Sequence, residues 1–97
     1  MVPCMTYEFV YWPTADDALD RLENLPAMAA VLRAVNRTLR RLAADPFDRR
    51  LGTACLVTEG LGGVCATPVG LDDWYIIWQR GEDTKLVEII LVDHLPL

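Results

Sequence analysis

A histidine and a neighbouring carboxylate form the pair of side chains best suited to proton transfer. His94 is the single histidine of the chain, and Asp93 precedes it at the end of a strand-like run. An imidazole with an ordinary pKa near neutrality can act as a general acid or base. A lone histidine near a chain end is also commonly an incidental surface residue, so both interpretations stay open.

Four arginines form a second group with a regular spacing. They recur at intervals of four, three and one residues as Arg33, Arg37, Arg40 and Arg41. At these intervals the side chains share one face of a helix, which we call the arginine stripe. Such a stripe is typical of a solvated outer face. The alternative is a partner-binding surface that contacts an acidic protein or a phosphate backbone.

Other polar groupings favour structural explanations. Asp72 and Asp73 are adjacent ahead of a strand, so turn polarity explains them better than paired acid and base chemistry. Gly60, Gly62 and Gly63 join two strand-like runs and precede no helix, which indicates a hairpin turn and not a phosphate-binding loop. With one histidine and no Cys-x-x-Cys or His-Glu-x-x-His motif, we expect neither a metal nor a cofactor.

The spacing of apolar residues and the positions of prolines and glycines predict the helices and strands that position these residues. A strand is predicted over 6–12, and a helix capped by Thr14 is predicted to reach about Asn24. A second helix is predicted from Pro26 until Asp45 and Pro46 end it. Four further strands are predicted at 53–58, 64–69, 74–79 and 86–92. The order β-α-α-β-β-β-β predicts an α+β fold in which two N-terminal helices pack on one face of an antiparallel sheet.

Size and composition predict one soluble domain over 1–97. The chain has 97 residues, of which 53% are hydrophobic and 24% charged, enough apolar surface for one core. Alternate positions Trp74, Ile76 and Trp78 form an aromatic stripe that is expected in this core. The net charge of −5 divides unevenly, with −4 over residues 1–32, +4 over 33–50 and −5 over 51–97.

Cysteine usage and hydropathy predict a cytoplasmic protein. No apolar run approaches the length of a membrane span, and the first twelve residues lack the pattern of a secretory leader. Cys4, Cys55 and Cys65 form no even-numbered disulfide framework, which suits a reducing compartment. We therefore expect free thiols at Cys55 and Cys65, with a cross-strand bridge between them as the alternative.

Four motifs follow one another over most of the chain. A helix ends in Leu-x-x-x-Pro at 42–46, Arg-Leu-Gly follows at 50–52, and Trp-Tyr-Ile-Ile-Trp stands at 74–78. The last strand ends in Val-Asp-His at 92–94. In order and spacing these motifs resemble the RelE/ParE toxin superfamily. The resemblance implies a single RelE/ParE-like domain and a toxin of a bacterial type II toxin–antitoxin system, held neutral by a cognate antitoxin protein.

The resemblance also implies site residues. RelE-like members are metal-free endoribonucleases that cut messenger RNA on the ribosome and thereby inhibit translation. His94 matches a histidine that some members carry, Arg50 stands at a basic motif position, and Tyr75 occupies the place of the family's strand arginine as a proton donor. These three are the expected catalytic residues. Arg49 and Arg80 are nearby cations expected to bind substrate.

A second function is implied by other members of the same superfamily. ParE-like toxins inhibit DNA gyrase without catalysing a reaction. A catalytically inactive member that only binds its antitoxin is a further possibility. The expected partners are therefore an antitoxin together with either the ribosome and messenger RNA or gyrase, and no membrane.

Overall fold

A computed structural model describes residues 7–58, 62–81 and 85–94. Two helices, α1 (Pro13–Asn24) and α2 (Ala29–Ala44), follow the first strand. Short 3-10 turns precede α2 at Pro26–Met28 and the second strand at Arg49–Leu51. The strands are β1 (Glu8–Tyr11), β2 (Ala54–Thr58), β3 (Gly62–Pro68), β4 (Trp74–Arg80) and β5 (Leu86–His94).

One five-stranded sheet has the spatial order β1-β5-β4-β3-β2. The last four strands form an antiparallel meander, and β2 and β3 pair as the predicted hairpin. Its turn, residues 59–61, lies outside the described residues. The α+β class with two helices packed on a sheet is confirmed.

The expectation of an antiparallel sheet is wrong for the first strand. β1 runs parallel to β5, from Glu8 opposite Leu86 to Tyr11 opposite Ile89, so the sheet is mixed. The two helices carry the chain from β1 at one edge to β2 at the other. A connection of that length leaves the direction of β1 free, and the strand's own residues carry no signal for its partner.

The helices begin and end largely where proline and the apolar spacing place them. Pro26 opens the turn that continues into α2, whose buried side chains recur at helical spacing. Thr14 is not the N-cap of α1, because Pro13 occupies the first turn and Trp12 precedes it. The Thr14 hydroxyl instead donates to the Ile90 carbonyl and fastens α1 to β5.

The core lies between the helices and one face of the sheet. Ile76, Trp78 and Leu42 are almost completely buried, and Trp74 packs against them, so the aromatic stripe belongs to the core as predicted. Trp78 Nε1 donates to Thr67 Oγ1 at 2.9 Å, and Thr67 shares a 2.6 Å hydrogen bond with Thr53. The buried indole N–H therefore has a hydrogen-bond partner, and none of these three polar side chains is left without one.

Cys55 and Cys65 form a disulfide, so the expectation of two free thiols is wrong. The two residues are directly opposite in the β2–β3 ladder, with their Cα atoms 4.0 Å apart. Directly opposite residues of antiparallel strands bring their Cα atoms close together, and a count of cysteines does not reveal which residues are opposite. The bridge removes one argument for a reducing compartment. Cys4 lies outside the described residues.

Candidate functional site

The sheet has a covered face and an open face. Ile76 and Trp78 point towards the helices, and alternation along the strand directs Tyr75, Ile77 and Gln79 to the other side. We call the surface formed by these three and their ladder neighbours the open face. Its margins are strongly exposed, at 69% for Leu56 and 46% for Val10.

A carboxylate near the start of β5 links neighbouring elements of the open face. Glu88 Oε1 accepts hydrogen bonds from Trp12 Nε1 at 3.0 Å and from Gln79 Nε2 at 2.9 Å, which joins β1, β5 and β4. Asp93 lies directly across the ladder from Tyr75, and Glu8 adds a third acid on β1. None of the described side chains on this face is a lysine, arginine or histidine.

His94 lies on the covered side of the sheet, at the end of β5. It is opposite Trp74 in the ladder, and the two ring centroids are 5.0 Å apart. His94 Nδ1 is 3.3 Å from Asp93 Oδ1. The imidazole opens onto a cavity of about 320 Å³ between α1 and the ends of β4 and β5. It is accessible and has a carboxylate partner, as proton transfer requires.

Arg50 is engaged by a carboxylate in its own turn. Its Nε and Nη2 atoms donate to Asp48 Oδ1 and Oδ2 at 3.1 and 2.9 Å, and its backbone N–H also donates to Oδ1. These hydrogen bonds from Arg50 lower the pKa of Asp48, and those to Asp48 raise the pKa of Arg50. The guanidinium is 82% exposed, so it remains reachable.

The three expected catalytic residues do not meet. His94 and Tyr75 lie on opposite faces of the sheet. Arg50 precedes β2, which is three strands from β5, a separation of about 14 Å at the ordinary spacing of strands. A single reacting phosphate would contact at most one of the three.

Arg49 and Arg80 gather around an exposed phenylalanine. The Arg80 guanidinium lies 5.5 Å from the centre of the Phe47 ring. Arg49 and Phe47 line one cavity of about 300 Å³ together with Trp78. Arg80 is at the opposite end of β4 from Trp74 and the neighbouring His94, about 20 Å away at the rise of a strand.

Phe47 was not predicted as a site residue, although it is 56% exposed and contacts both Trp78 and Arg80. Its signal in the sequence is a large apolar residue in a loop directly after a helix-ending proline. Exposed aromatic residues of this kind are enriched where proteins contact partners.

The arginine stripe lies on the outer face of α2. All four of its residues are exposed, opposite the buried positions Val31, Val35, Leu39 and Leu42. None of the four guanidinium groups forms a hydrogen bond or ion pair with a residue in the described ranges. The exposed position of the stripe is as predicted, and its role in partner binding stays a prediction.

No protein-family model and no curated protein matches the sequence. Solved structures match almost end to end. An archaeal RelE–RelB complex from Pyrococcus horikoshii aligns at TM-score 0.67 and 19% identity, covering 92% of this chain and 94% of the other. A YoeB/ParE toxin from Agrobacterium tumefaciens aligns at 0.73 and 12%, covering 92% and 99%.

A third match is the RelBE2 toxin–antitoxin complex from Mycobacterium tuberculosis, with TM-score 0.65, 22% identity and coverage of 93% and 99%. The fold is that of the RelE/ParE toxins. At these identities the likeness concerns the backbone, because roughly four residues in five differ. The side chains of this RelE/ParE-like fold therefore decide what chemistry it supports. None of the described helices is long and apolar enough to cross a bilayer.

Proposed function

We propose that the chain is the toxin component of a toxin–antitoxin pair that acts in the cytoplasm by binding proteins, without cleaving RNA. The observation that carries this proposal is the absence of cations among the described side chains of the open face. There, Tyr75 stands at the position that the family resemblance gives to an arginine.

Metal-free RNA cleavage builds up negative charge on a phosphorane, and preorganised cations must stabilise that charge. Around Tyr75 the open face offers Asp93 and, further along, Glu88. Two like charges 4 Å apart repel by about 1 kcal/mol in water and about 4 kcal/mol at an effective dielectric constant of 20. The open face therefore disfavours both the binding of a phosphate and the charged transition state.

An antitoxin partner is supported by the nature of the structural matches. Two of them are complexes, one of RelE with RelB and one named as a toxin–antitoxin complex. The target of the free toxin is then a protein, with DNA gyrase as the first candidate because ParE-like members inhibit it. Both binding activities need complementary surfaces only, which an acidic open face and a basic helix face can provide.

Controlled expression of the chain in bacteria tests this proposal. We expect growth arrest and a DNA-damage response of the kind that a gyrase inhibitor produces. Mapping of transcript ends should show intact messenger RNA. If a short reading frame next to the gene encodes an antitoxin, co-expression of that antitoxin should restore growth. Codon-linked cuts in messenger RNA would contradict the proposal.

A ribosome-dependent endoribonuclease is the second candidate, and one observation favours it. The exposed His94 imidazole has Asp93 as a carboxylate partner and opens onto the cavity beside α1. If this candidate holds, His94→Ala should reduce toxicity at least tenfold. Arg50→Ala and Tyr75→Phe should have smaller effects, because these side chains do not reach the same phosphate as His94, and Arg49→Ala and Arg80→Ala should weaken substrate binding. Full toxicity in His94→Ala would exclude this candidate.

A further inference from the structure

The disulfide between Cys55 and Cys65 lies at the outer edge of the sheet. β2 is the last strand on that side, and among the described residues β3 is its only neighbour. Cys65 is 7% exposed and lies opposite Trp78 of β4 in the next ladder. Cys55 is exposed and lines the cavity of about 300 Å³ that also contains Phe47 and Arg49. One cysteine of the bridge is therefore enclosed, and the other is open to solvent.

This asymmetry determines which sulfur a thiolate can reach. A thiolate attacks a disulfide sulfur from the side opposite the sulfur that leaves. Attack on Cys55 comes from beyond β2, where no described strand lies. Attack on Cys65 would have to come from the β4 side, where the buried Trp78 lies. Thiolate attack is therefore directed to the Cys55 sulfur, with Cys65 as the leaving group.

The charges around Cys55 favour an anionic thiol. Arg49 lines the same cavity, is exposed, and forms no hydrogen bond or ion pair with a described residue. The Arg80 guanidinium lies over the phenylalanine ring of this cavity. A nearby positive charge stabilises a thiolate and attracts carboxylates. A thiol that carries carboxylates therefore meets a favourable field at the exposed sulfur.

The acids of this region are already engaged. Both oxygens of Asp48 accept hydrogen bonds from Arg50. These hydrogen bonds and, more weakly, the charge of Arg41 hold the pKa of Asp48 below its ordinary value. Asp45 Oδ1 accepts the backbone N–H of Phe47 at 3.0 Å. The two acids are thus offset by two arginines, which leaves the other two arginines of the region for a ligand.

We propose that Cys55 is a site of thiol–disulfide exchange with a small thiol that carries carboxylates. The thiolate sulfur attacks Cys55 Sγ, the bond to Cys65 Sγ breaks, and Cys65 leaves as a thiolate that takes a proton from water. The product is a mixed disulfide at Cys55, with the ligand's carboxylates beside Arg49. A second thiolate then attacks the ligand sulfur and releases Cys55. Two small thiols are thereby oxidised to one disulfide, and the protein bridge is reduced.

The exchange alters the cavity and leaves the elements around it in place. β2 keeps its backbone ladder with β3 and the hydrogen bond between Thr53 and Thr67. The bound thiol would occupy the cavity beside Phe47, which is 56% exposed. Modification of Cys55 would therefore change one exposed aromatic surface of a folded domain. The inference is independent of the proposed function, because it requires neither a target nor an antitoxin.

The test follows the exchange on the full chain with three small thiols of different charge. Glutathione is anionic, 2-mercaptoethanol is neutral and cysteamine is cationic. The substitution Cys4→Ser removes the third cysteine of the chain. Alkylation stops the reaction, and cleavage after Glu59 separates the two bridge cysteines for mass spectrometry. We expect the added thiol on Cys55 and the alkyl group on Cys65.

The reaction rates test the role of charge. At equal thiolate concentration and low salt, glutathione should react at least about threefold faster than cysteamine, as one charge pair near a surface predicts. Arg49→Gln should remove most of this difference and leave the rate with 2-mercaptoethanol unchanged. The matched control Arg21→Gln removes an exposed charge on α1 and should react as the parent does. High salt should also reduce the difference.

Four results would overturn the inference. Three of them are a mixed disulfide mainly on Cys65, equal rates for glutathione and cysteamine, and a glutathione rate that Arg49→Gln leaves unchanged. The fourth is a bridge that none of the three thiols opens in the folded chain. The thiol series on the parent chain needs no variant, so it stands even if a substitution disturbs folding. Because the assay measures no toxicity, failure of this inference is distinct from failure of the proposed function.

Discussion

The open face of the sheet and the outer face of α2 carry opposite charges. Glu8, Glu88 and Asp93 lie on the open face, which has no described cation, whereas α2 carries four exposed arginines that form no ion pair with a described residue. Both surfaces are built on rigid elements of the same small domain. The described part of the chain therefore keeps its arginine stripe away from the open face of the sheet and places it on the outer side of α2.

This difference separates the two functions that one fold can support. Stabilisation of a phosphorane needs cations within a few ångströms of one point. Recognition of an acidic protein surface is favoured by cations that complement its charges, and these cations do not have to converge on one point. The arginine stripe meets the second requirement, and the dispersal of His94, Arg50 and Tyr75 over two faces fails the first.

The largest expected effect tests which side of β4 is covered. Ile76→Ala should lower the free energy of unfolding by about 2–5 kcal/mol, because it empties a fully buried position. Ile77→Ala, its neighbour on the open face, should cost less than about half of that. Urea denaturation of both variants measures the difference, and equal losses would contradict the assignment of the two faces.

The hydrogen bonds that Glu88 accepts on the open face provide the next test. Glu88→Ala removes the acceptor shared by Trp12 and Gln79, so the free energy of unfolding should fall by about 1 kcal/mol. Glu88→Gln keeps an acceptor oxygen and should cost less. An unchanged stability in the alanine variant would show that these contacts do not form in solution.

A smaller effect is expected on the arginine stripe. Arg40→Glu should change the free energy of unfolding by less than about 0.5 kcal/mol, because Arg40 forms no ion pair with a described residue. The same denaturation series measures it. A loss above 1 kcal/mol would mean that the stripe stabilises the fold and is not held free for a partner.

The smallest expected effect is the contribution of Tyr11, on β1, to the pH dependence of stability. Burial and then the neighbouring Asp16 raise the pKa of Tyr11 above its ordinary value of 10.0. The folded state thus holds the phenolic proton more tightly than the unfolded chain does. The resulting stabilisation of the folded state is present below pH 10 and is lost as pH rises further. Stability measured from pH 9 to 11 should fall more steeply for the parent chain than for Tyr11→Phe. Identical slopes would contradict the raised pKa.

Local patterns predicted the elements and the hairpin pairing of β2 with β3, but they did not predict the pairing of β1. The spacing of apolar residues and arginines in α2 fixes which side is buried, so the stripe could be located from the sequence. The parallel pairing of β1 with β5 and the Cys55–Cys65 bridge depend on partners and register, which neighbouring residues do not encode.

The same limit applies to the candidate site. The sequence shows that Tyr75 stands where the resemblance described above places an arginine. That His94 and Tyr75 lie on opposite faces depends on the ladder between β4 and β5, including an irregularity between Ile77 and Trp78. Because a one-residue shift exchanges the faces of a strand, no motif could reveal this separation.

Primer extension on ribosomes programmed with messenger RNA, incubated with the purified chain, tests the central claim most directly. The acidic open face predicts full-length messenger RNA, identical for the parent chain and His94→Ala. Cuts at the codon in the ribosomal A site that disappear in His94→Ala would contradict the account and assign the chain to the ribonuclease toxins.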